Sequence, residues 1–437
     1  MTTATTKLAI DGGPKACPTF QAQGEPKIGV EEFFSIAKRF GFSPAALKRI
    51  RAAVSNADLP TAGPMLGRYY GSPPPTFGEL YEQAAKKKFG VKYAHPVSSG
   101  TAALHAAFVG VGVGPDTEVI VPATGFLATS MAVCLAGGTP VFCDIDTSMQ
   151  IDPTKIEPLI TPRTVAIAPT HHWGGVCDMD PILAVARRHK IKVVEDCAQS
   201  PGARYKGRYV GTIGDAGCFS ISCYKIIGGG ESGLVLTNDR RVYERAAQLA
   251  EGGGLWRPNR FAPPRYKGEL FVGTNYRMSE LEAAVDLVQL KKLDGIIRRF
   301  NRVRRAVVGK LHSFKEIDPE KNNDPAGAPG YTLRFFPRTA ELAVKIAAAL
   351  QAEGVNAGGR GPQPKPDWHI YHDMYPVTRQ HPVQRGQCPV ADDLWQRVVN
   401  IGLNQWHTPA DCRAVAAAIN TVLAAYCTPD RTGAKWS

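Results

Sequence analysis

A single lysine, Lys225, sits in the run CFSISCYKIIGGGESGLVL, downstream of Asp196 in KVVEDCAQS. An amine just past an apolar stretch and set in glycine-rich backbone does little for solubility. Burial there depresses its pKa and suits it to forming an imine with an aldehyde. Taken alone, Lys225 reads as a strand-end lysine reaching solvent; its companions change that reading. IKVVEDCAQS reads as a buried strand, Ile191 to Val194, ending in acids, and binding residues gather at the carboxyl ends of parallel strands. Asp196 there is placed to keep a ring nitrogen protonated, although a lone aspartate at that point is as readily a helix cap. Gln199, three residues on, is in reach of a ring hydroxyl. In PVSSGTAALHAAFVGVG, Ser98, Ser99, Gly100 and Thr101 precede an alanine-rich helical run. Small residues at a helix start suit phosphate capture by backbone N–H groups, while an isolated SSGT is a plain N-cap. Ser220 adds a hydroxyl to the same phosphate. Phe126, just past the strand in EVIVPATGFLATSMAV, is placed to cover one face of a ring, where a lone aromatic is ordinarily core. An amine for an aldehyde, an acid for a ring nitrogen, donors for a phosphate and an aromatic for a ring face together meet the needs of pyridoxal phosphate.

The elements that must position these residues alternate short strands with helices, which predicts βαβ units around a mostly parallel sheet. Strands are expected at Glu118 to Pro122, Pro140 to Asp144, Thr164 to Pro169, Lys192 to Glu195, Gly217 to Ser222 and Gly233 to Leu236. Residues 1–70 form an N-terminal segment with one amphipathic helix near Ser43 to Val54, followed by glycine, proline and tyrosine turns. A large domain spans 71–300 and a smaller C-terminal domain 301–437. The helical spacing from Ser279 to Phe300 predicts a long connecting helix leading into RVRRAVVGKL. ELAVKIAAALQAEGV and ADCRAVAAAINTVLAAY read as helices packed on a short sheet. His369 and His372, in PQPKPDWHIYHDMYP, lack a third ligand nearby and read as loop histidines, so no metal is expected. His171 and His172, in APTHHWGG, follow a strand and are expected to line the pocket.

Five segments, in order, resemble the DegT/DnrJ/EryC1/StrS aminotransferases, sugar and cyclitol aminotransferases of fold type I. They are SSGTAAL at 98–104, VPATGFLAT at 121–129, EDCAQS at 195–200, FSISCYKIIGGGESG at 219–233 and NYRMSELEAAVDLVQL at 275–290. The resemblance runs from Leu59 to Ala425. It implies an α/β large domain with a mostly parallel central sheet flanked by helices, plus a smaller C-terminal α+β domain. By motif it implies that Lys225 is the Schiff-base lysine and Asp196 the pyridinium partner. Gln199 stands where members have histidine or glutamine beside the ring oxygen. Gly100, Thr101 and Ser220 match phosphate ligands, Phe126 the stacking aromatic, and Asn275 an asparagine that reaches the phosphate of the neighbouring subunit. A homodimer with shared active sites follows from that last match. The implied reaction moves an amino group from glutamate or glutamine to a keto-sugar or keto-cyclitol. The alternatives are a sugar dehydratase on the same scaffold, a branch that replaces the lysine with histidine, and a catalytically silent cofactor-binding regulator. Two departures stand out: Ser232 makes GESG of the usual GEGG, and the wording of RYYGSPPP is unusual.

Composition is that of an ordinary soluble enzyme: 437 residues, 44% apolar, enough for a substantial core. The ten cysteines form no CxxC pair and read as reduced thiols. No apolar h-region follows MTTATTKLAIDGG, and no stretch approaches the ~20 apolar residues of a membrane span. The expected compartment is therefore cytoplasm, without a membrane partner. The formal charge of +13 suits steering of anionic substrates or is simply a solvated basic surface. Segments such as IIRRFNRVRR lack the aromatic interleaving of nucleic-acid platforms, so no nucleic acid is expected.

Overall fold

The structure, a computed structural model, describes residues 7–15, 17, 26–60, 63, 64, 66, 75–253, 271–363 and 365–436. RYYGSPPP lies outside the described residues except for its last proline. The chain divides into two units, Met1–Ser72 and Pro73–Ser437. In the first, helix α1 (Val30–Arg39) begins where Glu32 accepts the Gly29 N–H, and α2 (Pro44–Ala53) begins where Ser43 Oγ accepts the Ala46 N–H. Proline at the first position of α2 loses no intrahelical bond. The sequence reading predicts α2 and misses α1, although α1 is the more amphipathic of the two: it buries Phe34 and Ala37, whereas α2 buries no residue.

In the second unit, α3 (Phe77–Phe89) starts from a reciprocal Thr76–Glu79 cap. Seven strands follow: β1 (Tyr93–Val97), β2 (Glu118–Pro122), β3 (Thr139–Cys143), β4 (Thr164–Ile167), β5 (Lys192–Asp196), β6 (Ala216–Ser220) and β7 (Gly233–Thr237). They pair in the order β1-β7-β6-β5-β4-β2-β3. All pairings are parallel except the two made by β7. β1 is the strand that sequence patterning misses, because Pro96 lies in its middle. Its place at the sheet edge explains the tolerance, since an edge strand can spare a donor.

Helices α4 (Gly100–Val111), α5 (Ala128–Leu135) and α7 (Arg240–Ala250) cover one face, and α3, α6 (Met179–His189) and α8 (Glu280–Val308) cover the other. Strand alternation assigns side chains to these layers. Val194 and Cys218 face the α4 side, whereas Val193, Cys197 and Phe219 face the α3 and α8 side. Asp196 shares the parity of Val194, and Glu195 that of Val193. Helices cover both faces of β5, so Val194 is buried in one core and Val193 in the other. The register of β5 between its two parallel neighbours therefore sets which acid faces the α4 helix.

α8 continues through RVRRAVV as one helix and serves two cores: Ala283, Leu290 and Leu293 pack in the first, Val303 and Val307 in the second. The second core lies on an antiparallel sheet of β8 (Ile317–Pro319), β9 (Thr332–Pro337), β10 (Ala357–Gly359) and β11 (Val399–Gly402), ordered β8-β9-β11-β10. Helices α9 (Ala340–Ala352) and α10 (Pro409–Tyr426) supply its apolar side. Among the described residues no helix is long and apolar enough to cross a membrane.

Gly217 in β6 touches the turn at Gly211, where a Cβ would stand 2.1 Å from the Gly211 carbonyl oxygen. That turn cannot easily yield, because the Gly211 N–H is bound to Glu195 at 2.8 Å. Gly217→Ala is expected to cost about 3 kcal/mol in denaturant unfolding. An unchanged unfolding midpoint would mean that the turn moves freely.

Candidate active site

Three strand ends meet in register. Gly233 of β7 lies opposite Val97 on one side and Ser220 on the other. This pairing sets the turn after β1 beside the end of β6, and the turn runs straight into α4. Ser99 caps the helix: its Oγ accepts the Ala102 N–H at 3.1 Å, and its carbonyl accepts the Ala103 N–H. Those bonds leave the first two N–H groups of the helix, on Gly100 and Thr101, for an anion. Close approach explains the glycines. A Cβ on Gly100 would fall 2.6 Å from that of Ser220, and one on Gly233 would fall 2.2 Å from the Ser99 carbonyl oxygen.

Asp196, at the end of β5, is only 4% exposed. Its Oδ2 accepts from Thr129 Oγ1 at 2.5 Å, and its Oδ1 accepts the Ala198 N–H at 3.0 Å. Glu195 points the other way and is fully engaged by the N–H groups of Gly211, Ile213 and Gly214 and by His171 Nε2. His171 Nδ1 accepts the Cys177 N–H, so the ring proton belongs on Nε2, where it is donated to Glu195. His171, Glu195 and Cys197 lie within metal-binding distance of one another. The hydrogen-bond accounting for His171 and Glu195 makes them a structural cluster.

Lys225 follows β6 on a loop closed by the Ile221 N–H to Ser232 carbonyl bond, with its own N–H bound to the Ser222 carbonyl. Burial lowers the pKa of its amine, against the opposing pull of the Asp196 and Glu231 carboxylates. A cavity of about 460 Å³ is lined by Gly100, Thr101, Phe126, Asp196, Gln199, Ser220 and Lys225. Seven of the eight residues assigned to the cofactor by the sequence thus meet in one place. The eighth, Asn275, is exposed on the segment before α8, bridges Glu251 and does not line this cavity. Gln199 Oε1 accepts the Trp173 N–H at 2.7 Å, which leaves its Nε2 as the group able to donate.

Sequence reasoning placed two residues wrongly and overlooked others. His171 and His172 are completely buried and do not line the cavity, because His171 turns into the Glu195 cluster and His172 stacks on Trp173 at 4.4 Å. His369 does line it. The Gly125 and Leu127 N–H groups bind the carbonyls of His369 and Trp368, bringing the His369 ring to 5.3 Å from Phe126. Asp367 Oδ1 accepts from His369 Nδ1 at 2.6 Å, so Nε2 is the ring nitrogen left for a ligand. His372 instead pairs with Asp373 at 2.9 Å. No local spacing signals His369, since its position depends on pairing between loops far apart in sequence. A second cavity, of about 510 Å³, shares Gln199, Tyr224, Lys225 and His369 with the first and adds Trp173, Phe300, Tyr331 and Gln405.

The residues present fit pyridoxal phosphate: a lysine with a lowered pKa, a buried carboxylate with two fixed donors, and a helix N-terminus that close packing keeps free of side-chain bulk. Comparison with known proteins agrees. Residues 76–420 match the DegT/DnrJ/EryC1/StrS aminotransferase family. GDP-perosamine synthase of Caulobacter vibrioides is 36% identical, over 78% of this chain and 89% of that protein. L-glutamine:2-deoxy-scyllo-inosose aminotransferase of Micromonospora echinospora is 32% identical, over 82% of this chain and 87% of that protein. The crystal structure of NtdA from Bacillus subtilis with bound cofactor PMP superposes with a TM-score of 0.68 at 25% identity, covering 82% of this chain and 79% of that one. The chain belongs to the DegT/DnrJ/EryC1/StrS aminotransferase family, whose cofactor is pyridoxal phosphate.

Proposed function

We propose that this aminotransferase moves the amino group of glutamate or glutamine to a keto-sugar or keto-cyclitol, with Lys225 as the amine that holds the cofactor. The observation that carries the reading is the single cavity in which Lys225, Asp196, Ser220 and the start of α4 meet. Pyridoxal phosphate, when bound, supplies an electron sink and carries the amino group between donor and acceptor. The protein's part is to bind, orient and move protons. The N–H groups of Gly100 and Thr101 and the Ser220 hydroxyl hold the phosphate. Asp196, fixed by Thr129 and Ala198, keeps a proton on the ring nitrogen. Gln199 Nε2 donates to the ring oxygen, and Phe126 covers one face. Lys225 Nζ, once free of the cofactor, would act as the base that takes the donor's α-proton and the acid that returns it to the cofactor's aldehyde-derived carbon, across the intervening nitrogen.

The second cavity suits the acceptor. Trp173, Phe300 and Tyr331 offer flat apolar faces, and Gln405 and His369 offer polar groups, a mixture that matches the alternating C–H and hydroxyl surfaces of a polyhydroxylated ring. The names of the two relatives give the same substrate classes, a nucleotide-linked sugar and a cyclitol. A dehydratase reading is disfavoured by the presence of Lys225. The reading includes a cytoplasmic homodimer in which Asn275 serves the partner's phosphate; its exposure outside its own cavity supports that assignment. The direct test is to load the protein with pyridoxamine phosphate and offer nucleotide-linked keto-sugars, free keto-cyclitols and simple ketones. Return of the visible pyridoxal band with one of the first two classes supports the reading, and return with simple ketones alone overturns it.

Lys225→Ala is expected to abolish turnover while leaving folding intact, checked by activity and circular dichroism; near-normal transamination would remove Lys225 from the chemistry. Asp196→Asn is expected to retain cofactor and lose activity by about 100-fold or more, because a neutral amide cannot hold the ring nitrogen protonated. Comparable activity would transfer that role elsewhere, though Glu195 has its carboxylate fully engaged.

Subunit sharing has its own test. Asn275→Ala is expected to hold cofactor weakly. In a hybrid of Lys225→Ala and Asn275→Ala chains, one site has both groups and the other has neither. Subunit exchange between the two variants should restore activity towards half of the wild-type value per hybrid dimer. No recovery after demonstrated exchange would mean that Asn275 acts within its own chain.

A further inference from the structure

The loop carrying Lys225 rests on two acids that the mechanism leaves unused, buried Asp286 and half-buried Glu282. A Cβ on Gly229 would stand 2.3 Å from Asp286 Oδ1 and 2.5 Å from Glu282 Oε1, and one on Gly230 would stand 2.7 Å from Glu282 Oε2. The glycines after Lys225 are therefore bare so that the backbone can lie directly on α8. Ser232, at the end of that loop, is fully buried, and its Oγ is 2.6 Å from Asp286 Oδ2 and 3.5 Å from the Ile221 carbonyl oxygen. Asp286 is completely buried as well, and its Oδ1, Glu282 Oε1 and Tyr81 Oη have no hydrogen-bond partner.

We propose that Asp286 is a positioning residue for Lys225, acting through Ser232 to tie both ends of the 221–232 loop to α8. The inference rests on the reading of Lys225 as the cofactor-holding amine. Ser232 has one hydroxyl proton. When Asp286 is protonated it donates to Ser232 Oγ, and Ser232 donates onward to the Ile221 carbonyl, which also accepts the Gly229 N–H. When Asp286 is ionised, Ser232 must donate to it and the Ile221 link is lost, with a buried charge left facing Glu282.

Of the groups around Asp286, Glu282 one turn earlier on α8 favours the neutral form; Glu231 on the loop acts on Glu282, and Tyr81 from α3 packs near both acids of α8. Burial is the largest influence and Glu282 adds to it, pushing the Asp286 carboxyl up to about 7 despite the opposing bond from Ser232. Because the folded-state pKa is raised, the stabilisation is present in full below the ordinary carboxylate range and is lost as pH rises through about 7. The tie is thus intact in mild acid and released in mild base.

The test compares wild type, Asp286→Asn and Asp286→Ala at pH 6 and pH 8.5 by two readouts: thermal stability without cofactor, and the dissociation constant of pyridoxal phosphate. Asn is neutral and keeps a donor for Ser232. It is expected to be more stable than wild type at both pH values, by a wider margin at pH 8.5, and to bind the cofactor equally at both. Wild type is expected to bind about fivefold more weakly at pH 8.5 than at pH 6, and Ala to bind weakly at both. The same pH dependence of cofactor binding in wild type and Asp286→Asn overturns the proposal, whether or not Ala folds. Failure of the underlying reading looks different: Lys225→Ala would then hold the cofactor with an unchanged visible band.

Discussion

The close approach of three backbones is the constraint on which the site depends. The turn after β1 lies against the ends of β6 and β7 with no room for a Cβ on Gly100 or Gly233. A side chain at either glycine would push the start of α4 away from Ser220 and divide the phosphate donors between two places. Sheet order makes the approach possible. β7 runs against its neighbours, so the end of β1 and the end of β6 meet on either side of the start of β7. A helix N-terminus and a strand-end hydroxyl, far apart in sequence, become one anion site.

Electrostatic roles follow from the two-residue period of a strand. Glu195 and Asp196 are adjacent acids of similar intrinsic chemistry, yet one is a structural anchor and the other faces the cavity. Three backbone N–H groups and a histidine compensate Glu195, so its charge is held within the protein. Asp196 has only Thr129 and Ala198 and retains capacity for a ligand. The same division recurs around Lys225, where the loop shows its amine to the cavity on one side and rests on the acids of α8 on the other.

Much of this was legible in the sequence because local chemistry and strand periodicity agree there. The strands from β2 to β7 appear within a residue or two of their expected bounds; the acid, serine and glycine that meet in the cavity each lie at an element end, and the lysine lies on the loop that follows β6. What the sequence hid has physical causes. β1 was masked by Pro96. His369 reaches the cavity through backbone pairing between the 124–127 and 368–370 segments, which no local pattern encodes. Ser232 stood out only as a departure in wording. Its bond to Asp286 turns that departure into part of the support for the lysine loop.

The central claim is that Lys225 is the amine that carries the cofactor, and chemical trapping tests it most directly. The protein would be reconstituted with pyridoxal phosphate, reduced with borohydride, digested and mapped by mass spectrometry. The account predicts the phosphopyridoxyl mass on the peptide containing Lys225, in stoichiometric amount. Stoichiometric label on a different lysine, or none on any lysine of a protein that has taken up the cofactor, would contradict it.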